Sequence, residues 1–185
     1  MLLIEIFKKR KFDLKADRIG PDVPFTHWRL YYKKKMVNLC KKKFKKFSDT
    51  AQFRAGAYAI GCSKIEIGNR VVIRPGTMLF GDCVNLETSI IIEDDVLMGS
   101  GVHIYVNNHK FDNPNVALID QGHYPAKSVT LKQGCWLGAN VIVLPGVTIG
   151  QNSVVGAGSI VTKSIPDRVV AVGNPAKIIS KIGSA

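Results

Sequence analysis

Residues 131–164 read LKQGCW-LGANVI-VLPGVT-IGQNSV-VGAGSI-VTKS, and an aliphatic side chain opens each six-residue step: Leu131, Leu137, Val143, Ile149, Val155 and Val161. Six is neither the 3.6-residue period of a helix nor the two-residue alternation of a strand, so the segment is an internal repeat. Four positions further on, the side chain is small or β-branched, as in Val141, Val147, Ser153 and Ser159. Two positions in every six therefore face inward. Glycine follows the aliphatic residue at Leu137-Gly138, Ile149-Gly150 and Val155-Gly156, where a corner demands backbone that other residues adopt at greater cost. Short strands joined by tight corners, stacked coil on coil at about 4.8 Å, bury such a ladder without long loops. The fold class expected is an all-β solenoid, a parallel β-helix.

Working outward, the same spacing returns in Ile67, Ile73 and Leu79 and in Ile92, Met98 and Ile104, with Val71, Val96 and Val102 in the second slot. Two breaks interrupt it. Thirteen residues separate Leu79 from Ile92, which reads as one more than two repeats, and twenty-seven separate Ile104 from Leu131. The second break, rich in Asn, Asp, Gly and Pro, predicts an external loop over about 107–128 that holds His109 and His123.

Upstream the text changes. Residues 1–54 contain 16 Lys and Arg against 5 Asp and Glu, whereas residues 55–185 contain 10 against 9. Trp28, Tyr32, Met36, Leu39, Cys40, Phe44 and Phe47 recur at steps of three and four between lysines, which predicts one basic amphipathic helix over about 26–47 with Thr26 as its N-cap. The expected organisation is a basic helical region, 1–59, followed by a β-helix domain, 60–182. The 185 residues are one domain's worth, and 46% hydrophobic against 22% charged excludes disorder. No apolar run approaches the roughly 20 residues of a membrane span, and no signal peptide is read, so a cytoplasmic location is expected. Cys40, Cys62, Cys83 and Cys135 lie far apart without a CxxC pair and are expected as free thiols. Cys83 and Cys135 fall on the small inward slot, a core position and not that of a nucleophile.

The runs IGNRVV-IRPGTM, MGSGVH, LGANVI-VLPGVT-IGQNSV-VGAGSI-VTKSIP and the closing VGNPAKII resemble the hexapeptide-repeat acyltransferases, most closely the maltose, galactoside and capsular-sugar O-acetyltransferases. The resemblance covers about 60–182, and residues 1–50 match only loosely. It implies a left-handed β-helix with three hexapeptides per coil, a homotrimer, and acetyl-CoA bound in the groove between neighbouring helices. It further implies that His109, in YVNNHKF, is the catalytic base, since moving an acetyl group to a sugar hydroxyl requires a proton acceptor and imidazole titrates near neutrality. For the donor, the matching positions are Trp136 beside the pantetheine arm, Ala139 and Ala157 along the cofactor backbone, Thr162 and Lys163 near adenine, and Lys177 as a phosphate contact. Asp82, Asn85 and His123 are the candidates for the acceptor.

The same residues bear on other functions. A metal-dependent hydratase on this fold needs three histidines at set spacings, and the gaps of six and fourteen between His103, His109 and His123 do not match, so no metal is expected. A noncatalytic scaffold would need neither the loop nor Trp136, and a sugar N-acetyltransferase remains an alternative. The basic helix suits an anionic membrane surface touched through residues 1–50, and a capsule, O-antigen or exopolysaccharide acceptor would place the enzyme there; its aromatic side packing on the β-helix end is the competing reading. Runs such as KKKFKKF also suit phosphates, although no nucleic acid is expected.

Overall fold

Inward residues six apart, with corners between them, place successive strands on three different faces, so each strand pairs with the third one after it. The computed structural model describes residues 1–82 and 87–183 and has this topology. On the first face Ala59, Leu79, Ile104, Val143 and Val161 stand in parallel register. On the second, Phe47, Ile67, Ile92, Leu131 and Ile149 do so. The third aligns Met98, Leu137, Val155 and Ala171, and Phe53 pairs with Ile73 where that face begins. These ladders are the core, and nearly every member is fully buried. Each buried Leu, Ile or Val contributes about 1.5–3 kcal/mol, which makes the ladder the principal source of stability. The second slot is filled as expected by Val141, Val147, Ser153 and Ser159, all buried.

The register revises the reading of the first break. Leu79 and Ile92 lie on adjacent faces, six positions apart in a regular coil, so the thirteen-residue gap holds one repeat and seven inserted residues instead of two repeats. Ile104 and Leu131 are likewise on adjacent faces, and twenty-one residues are inserted between them. Both insertions leave the stack at one corner, between the first and second faces of successive coils.

The coil also starts earlier than expected. Lys46–Phe47, Gln52–Phe53 and Tyr58–Ile60 are strands of a complete first coil, inside the stretch assigned to the helical region 1–59. Its ladder is Phe47, Phe53 and Ala59 with Ala51 and Ala57 in the second slot, the same spacing of six written in aromatic and alanine residues. The predicted single helix over 26–47 is instead three pieces: an α-helix at Pro24–His27, a 3-10 turn at Trp28–Tyr31 and an α-helix at Lys33–Lys43. Extended backbone at Tyr32 divides the 3-10 turn from the second α-helix, and extended backbone at Phe44 ends that helix. Thr26 is not an N-cap; it is buried and its hydroxyl donates to the carbonyl of Val23, 3.1 Å away. Met36, Leu39 and Cys40 pack against the first coil, and the Phe44 ring lies 5.6 Å from Phe47 and 5.5 Å from Phe53. Trp28 and Tyr32, expected on the same apolar stripe, are exposed. A further helix, Leu2–Lys15, precedes these and was not anticipated.

Candidate active site

His109 lies near the start of the inserted loop, held by backbone and not by burial. Its residue pairs with His123 in an antiparallel bridge. On either side, Lys110 N–H donates to Gly122 C=O and Tyr124 N–H to Asn108 C=O, each at 2.9 Å. This ladder closes the loop at its base and sets the two imidazoles face to face, with ring centroids 4.0 Å apart and a tilt of 36°. Further out, Phe111 packs edge-on against Tyr124, whose hydroxyl donates to Asp112, an interaction that raises the phenol pKa above its ordinary value. Both histidines are exposed, so His109 can meet a ligand arriving from solvent.

Beside the loop base a cleft of about 260 Å³ is lined by Asn107, Asn108, Tyr124, Lys127, Leu144 and Thr162. Thr162 follows the strand Ile160–Val161, so it lies on the corner from which the loop departs two coils away. Asp82 is buried at that corner, one coil before the loop, just after Met78–Phe80. His109, His123, Asp82 and Thr162 therefore lie along the same corner column, with three coils from Asp82 to Thr162 and the histidine pair on the loop that leaves it between them. Asn85 and Cys83 lie outside the described residues.

The donor candidates are split: Thr162 and Lys163 lie on this corner, and Trp136, Ala139, Ala157 and Lys177 lie at a different one. Trp136 opens the strand Trp136–Leu137, stands in register with Leu97 and Val154, and is 48% exposed. Ala139 and Ala157 follow on successive coils at the corner beyond it, where Gly158 N–H donates to Ala139 C=O at 2.8 Å. The coils nearly touch here: a Cβ on Gly138 would come 2.5 Å from the backbone nitrogen of Ala157. Lys177 continues this column. It pairs with Val172, whose side chain covers Gly156. Lys163 is exposed one residue past Thr162. The candidates of a single chain thus fall in two groups, the His109–His123 corner and the Trp136–Ala139–Ala157–Lys177 corner, separated by the first face.

His103 is not with either group; it stands between Met78 and Ile142 on the first face, its Nδ1 sharing a 3.2 Å hydrogen bond with the Tyr105 hydroxyl. Cys135 is fully buried, and burial pushes its thiol up to about 12, too high for a thiolate nucleophile at neutral pH. Cys40 and Cys62 are buried free thiols, also raised by desolvation. Among the described residues no three His, Cys, Asp or Glu side chains converge as a metal-ligand set. What sequence reasoning missed is that both insertions share a corner. The gap lengths alone did not reveal it, since thirteen fits two repeats and one residue as well as one repeat and seven; the register decides.

This architecture and site define a class, the hexapeptide-repeat acetyltransferases, and residues 128–163 match the family model described as bacterial transferase hexapeptide (six repeats). The chain is 33% identical to the galactoside O-acetyltransferase of Escherichia coli over 158 residues, 85% of this chain and 74% of that enzyme, and it belongs to the same family. It is 40% identical to the galactoside O-acetyltransferase of Lactococcus lactis over 134 residues, 65% of this chain. That alignment spans 64% of the Lactococcus enzyme, just under two thirds of its length. A solved galactoside acetyltransferase in complex with coenzyme A superimposes with a TM-score of 0.68 at 27% identity, covering 95% of this chain and 82% of that one.

Proposed function

We propose that this protein transfers an acetyl group from acetyl-CoA to a sugar hydroxyl. What most directly supports the reading is an exposed His109, backbone-braced against His123 at the base of the inserted loop, in a chain 33% identical to a galactoside O-acetyltransferase along most of its length. In the reaction the hydroxyl oxygen attacks the thioester carbonyl while His109 takes the hydroxyl proton. The tetrahedral intermediate then expels the thiolate, and that proton leaves with it as coenzyme A. Transfer is direct within a ternary complex in this reading, and the buried thiols of Cys40, Cys62 and Cys135 offer no nucleophile for an acyl-enzyme. The contact between the His123 and His109 rings fixes the base, and the half-exposed face of Trp136 with the Ala139–Ala157 column accepts the pantetheine arm. Lys177 and Lys163 meet the donor's phosphate and adenine end as exposed cations.

The two groups lie on different corners of one chain, so the complete site of this proposal forms between protomers of a homotrimer wound with the left-handed sense expected from the resemblance. Asp82 and His123 hold the acceptor, and the biological setting is capsule, O-antigen or exopolysaccharide synthesis at the cytoplasmic side of a membrane. No helix among the described residues is long and apolar enough to cross one. The test is release of coenzyme A thiol from acetyl-CoA against a panel of free, nucleotide-linked and lipid-linked sugars and amino sugars. Release that requires a hydroxyl-bearing sugar is expected. Release only with amines would reassign the reaction to N-acetylation, and no release together with no binding of acetyl-CoA would leave a scaffold.

A further inference from the structure

The N-terminal surface is the largest feature that acetyl transfer does not use. Helix Leu2–Lys15 is fixed in orientation against the segment that follows. Asp13, fully buried, accepts from Lys9 Nζ and from the backbone N–H of Phe25 at 3.0 Å, and Lys43 Nζ donates to the carbonyls of Leu14 and Ala16 at the helix end. Held this way, the helix leaves Leu3 70%, Ile4 60% and Phe7 65% exposed, with the exposed cations Lys8, Arg10 and Lys11 directly behind them. Trp28, Tyr31 and Tyr32 are exposed as well, and Lys35 Nζ lies 4.5 Å from the Trp28 ring centroid and 5.2 Å from that of Tyr32. Two adjoining clefts of about 590 and 330 Å³ share Arg29, Leu39 and Lys42, and the larger adds Lys15.

We propose that this surface docks on an anionic lipid bilayer. Leu3, Ile4 and Phe7 enter the boundary between headgroups and acyl chains, while Lys8, Arg10, Lys11 and the cations of the two clefts meet lipid phosphates. Apolar and aromatic side chains interleaved with lysine suit that boundary, where one side of a residue is dry and the other wet. A second copy of the same surface would set like charge against like, since residues 1–54 hold 16 Lys and Arg against 5 Asp and Glu. A nucleic acid would satisfy the cations but leave Leu3, Ile4 and Phe7 unburied. The docking element also differs from the one expected: the apolar side of Lys33–Lys43 is consumed on Phe47 and Phe53, so the exposed tip of Leu2–Lys15 takes its place. The inference stands independently of the acetyl-transfer reading.

The test is co-sedimentation of the full chain with vesicles of phosphatidylglycerol and phosphatidylethanolamine, against vesicles of phosphatidylcholine alone. Binding to the anionic vesicles only, weakened by added salt, is expected. Lys8→Gln with Lys11→Gln lowers the partition coefficient roughly 25-fold, about fivefold for each charge. Leu3→Asn with Phe7→Asn reduces it further at unchanged net charge, and neither pair moves the melting temperature by more than about 2 °C because all four side chains are exposed. Equal binding to neutral vesicles would overturn the proposal. So would full binding by the Leu3→Asn, Phe7→Asn variant, or a change in its sedimentation-velocity oligomeric state without a change in vesicle binding, which would assign the surface to a second copy.

Discussion

Replacing Gly138 with alanine probes the fold and the donor corner together. The added Cβ would lie 2.5 Å from Ala157 N, 2.8 Å from Ala157 Cα and 3.1 Å from Ala157 Cβ, all on the next coil. Reaching an ordinary contact of about 3.4 Å requires the coils to part by roughly 0.9 Å at this corner, a fifth of their usual spacing of about 4.8 Å. Two hydrogen bonds of 2.8 Å resist that movement, from Gly138 N–H to Val155 C=O and from Gly158 N–H to Ala139 C=O. Losing both costs about 1 kcal/mol each, and overpacking adds about 1–3 kcal/mol, for a total of about 3–5 kcal/mol. In a chain of this size the melting temperature falls about 2–4 °C per kcal/mol, so a drop of at least about 6 °C is expected. Gly158→Ala is the internal control. It has φ of +71° and nothing within 4 Å of the new Cβ, so it carries only backbone strain of about 1–2 kcal/mol. Thermal unfolding followed by circular dichroism at one fixed protein concentration reads both. If Gly138→Ala melted within 3 °C of the parent, or Gly158→Ala proved the more damaging, the close stacking at this corner would be refuted.

Three further outcomes are expected. Trp136→Ala weakens coenzyme A binding by about tenfold in isothermal titration while leaving the melting temperature almost unchanged, because the ring is already half exposed; unaltered affinity would remove it from the donor corner. His123→Ala lowers turnover by about 10- to 100-fold with donor affinity retained, since a base displaced by about 1 Å loses up to about a hundredfold; full turnover would show that the ring contact does not position His109. His27 has its pKa lowered below the ordinary 6.5 chiefly by desolvation, and its buried Nδ1 has no hydrogen-bond partner among the described residues. The unfolded chain therefore binds the extra proton first. The stabilisation is whole above pH 6.5 and is lost as the pH falls from there through the depressed folded value. His27→Gln should flatten the decline in melting temperature between pH 7.5 and pH 5, and an unchanged slope would contradict it.

The middle and end of the fold were legible because Leu131 through Val161 repeat one residue class at one spacing without interruption. The first coil was not, because Phe47, Phe53 and Ala59 keep the spacing but change the class, and Phe44 and Phe47 also fit a helical period. Helix rows and hexapeptide rows coincide over a few residues, and only the extended backbone at Phe44 separates them. The helix Leu2–Lys15 escaped notice because its apolar residues form a tip followed by cations and not a stripe along one side. At the candidate site, the placing of His109 in the inserted loop and of Ala139 and Ala157 on successive coils was legible from the repeat spacing. The pairing of His109 with His123 was not, since it depends on how the thirteen intervening residues fold back.

The proposed acetyl transfer assigns the base to one imidazole, His109 at the loop base. With acetyl-CoA and the accepted sugar both saturating, the rate of thiol release by His109→Ala should fall about 10²- to 10⁴-fold below the unsubstituted protein. A rate within threefold of it would contradict the account.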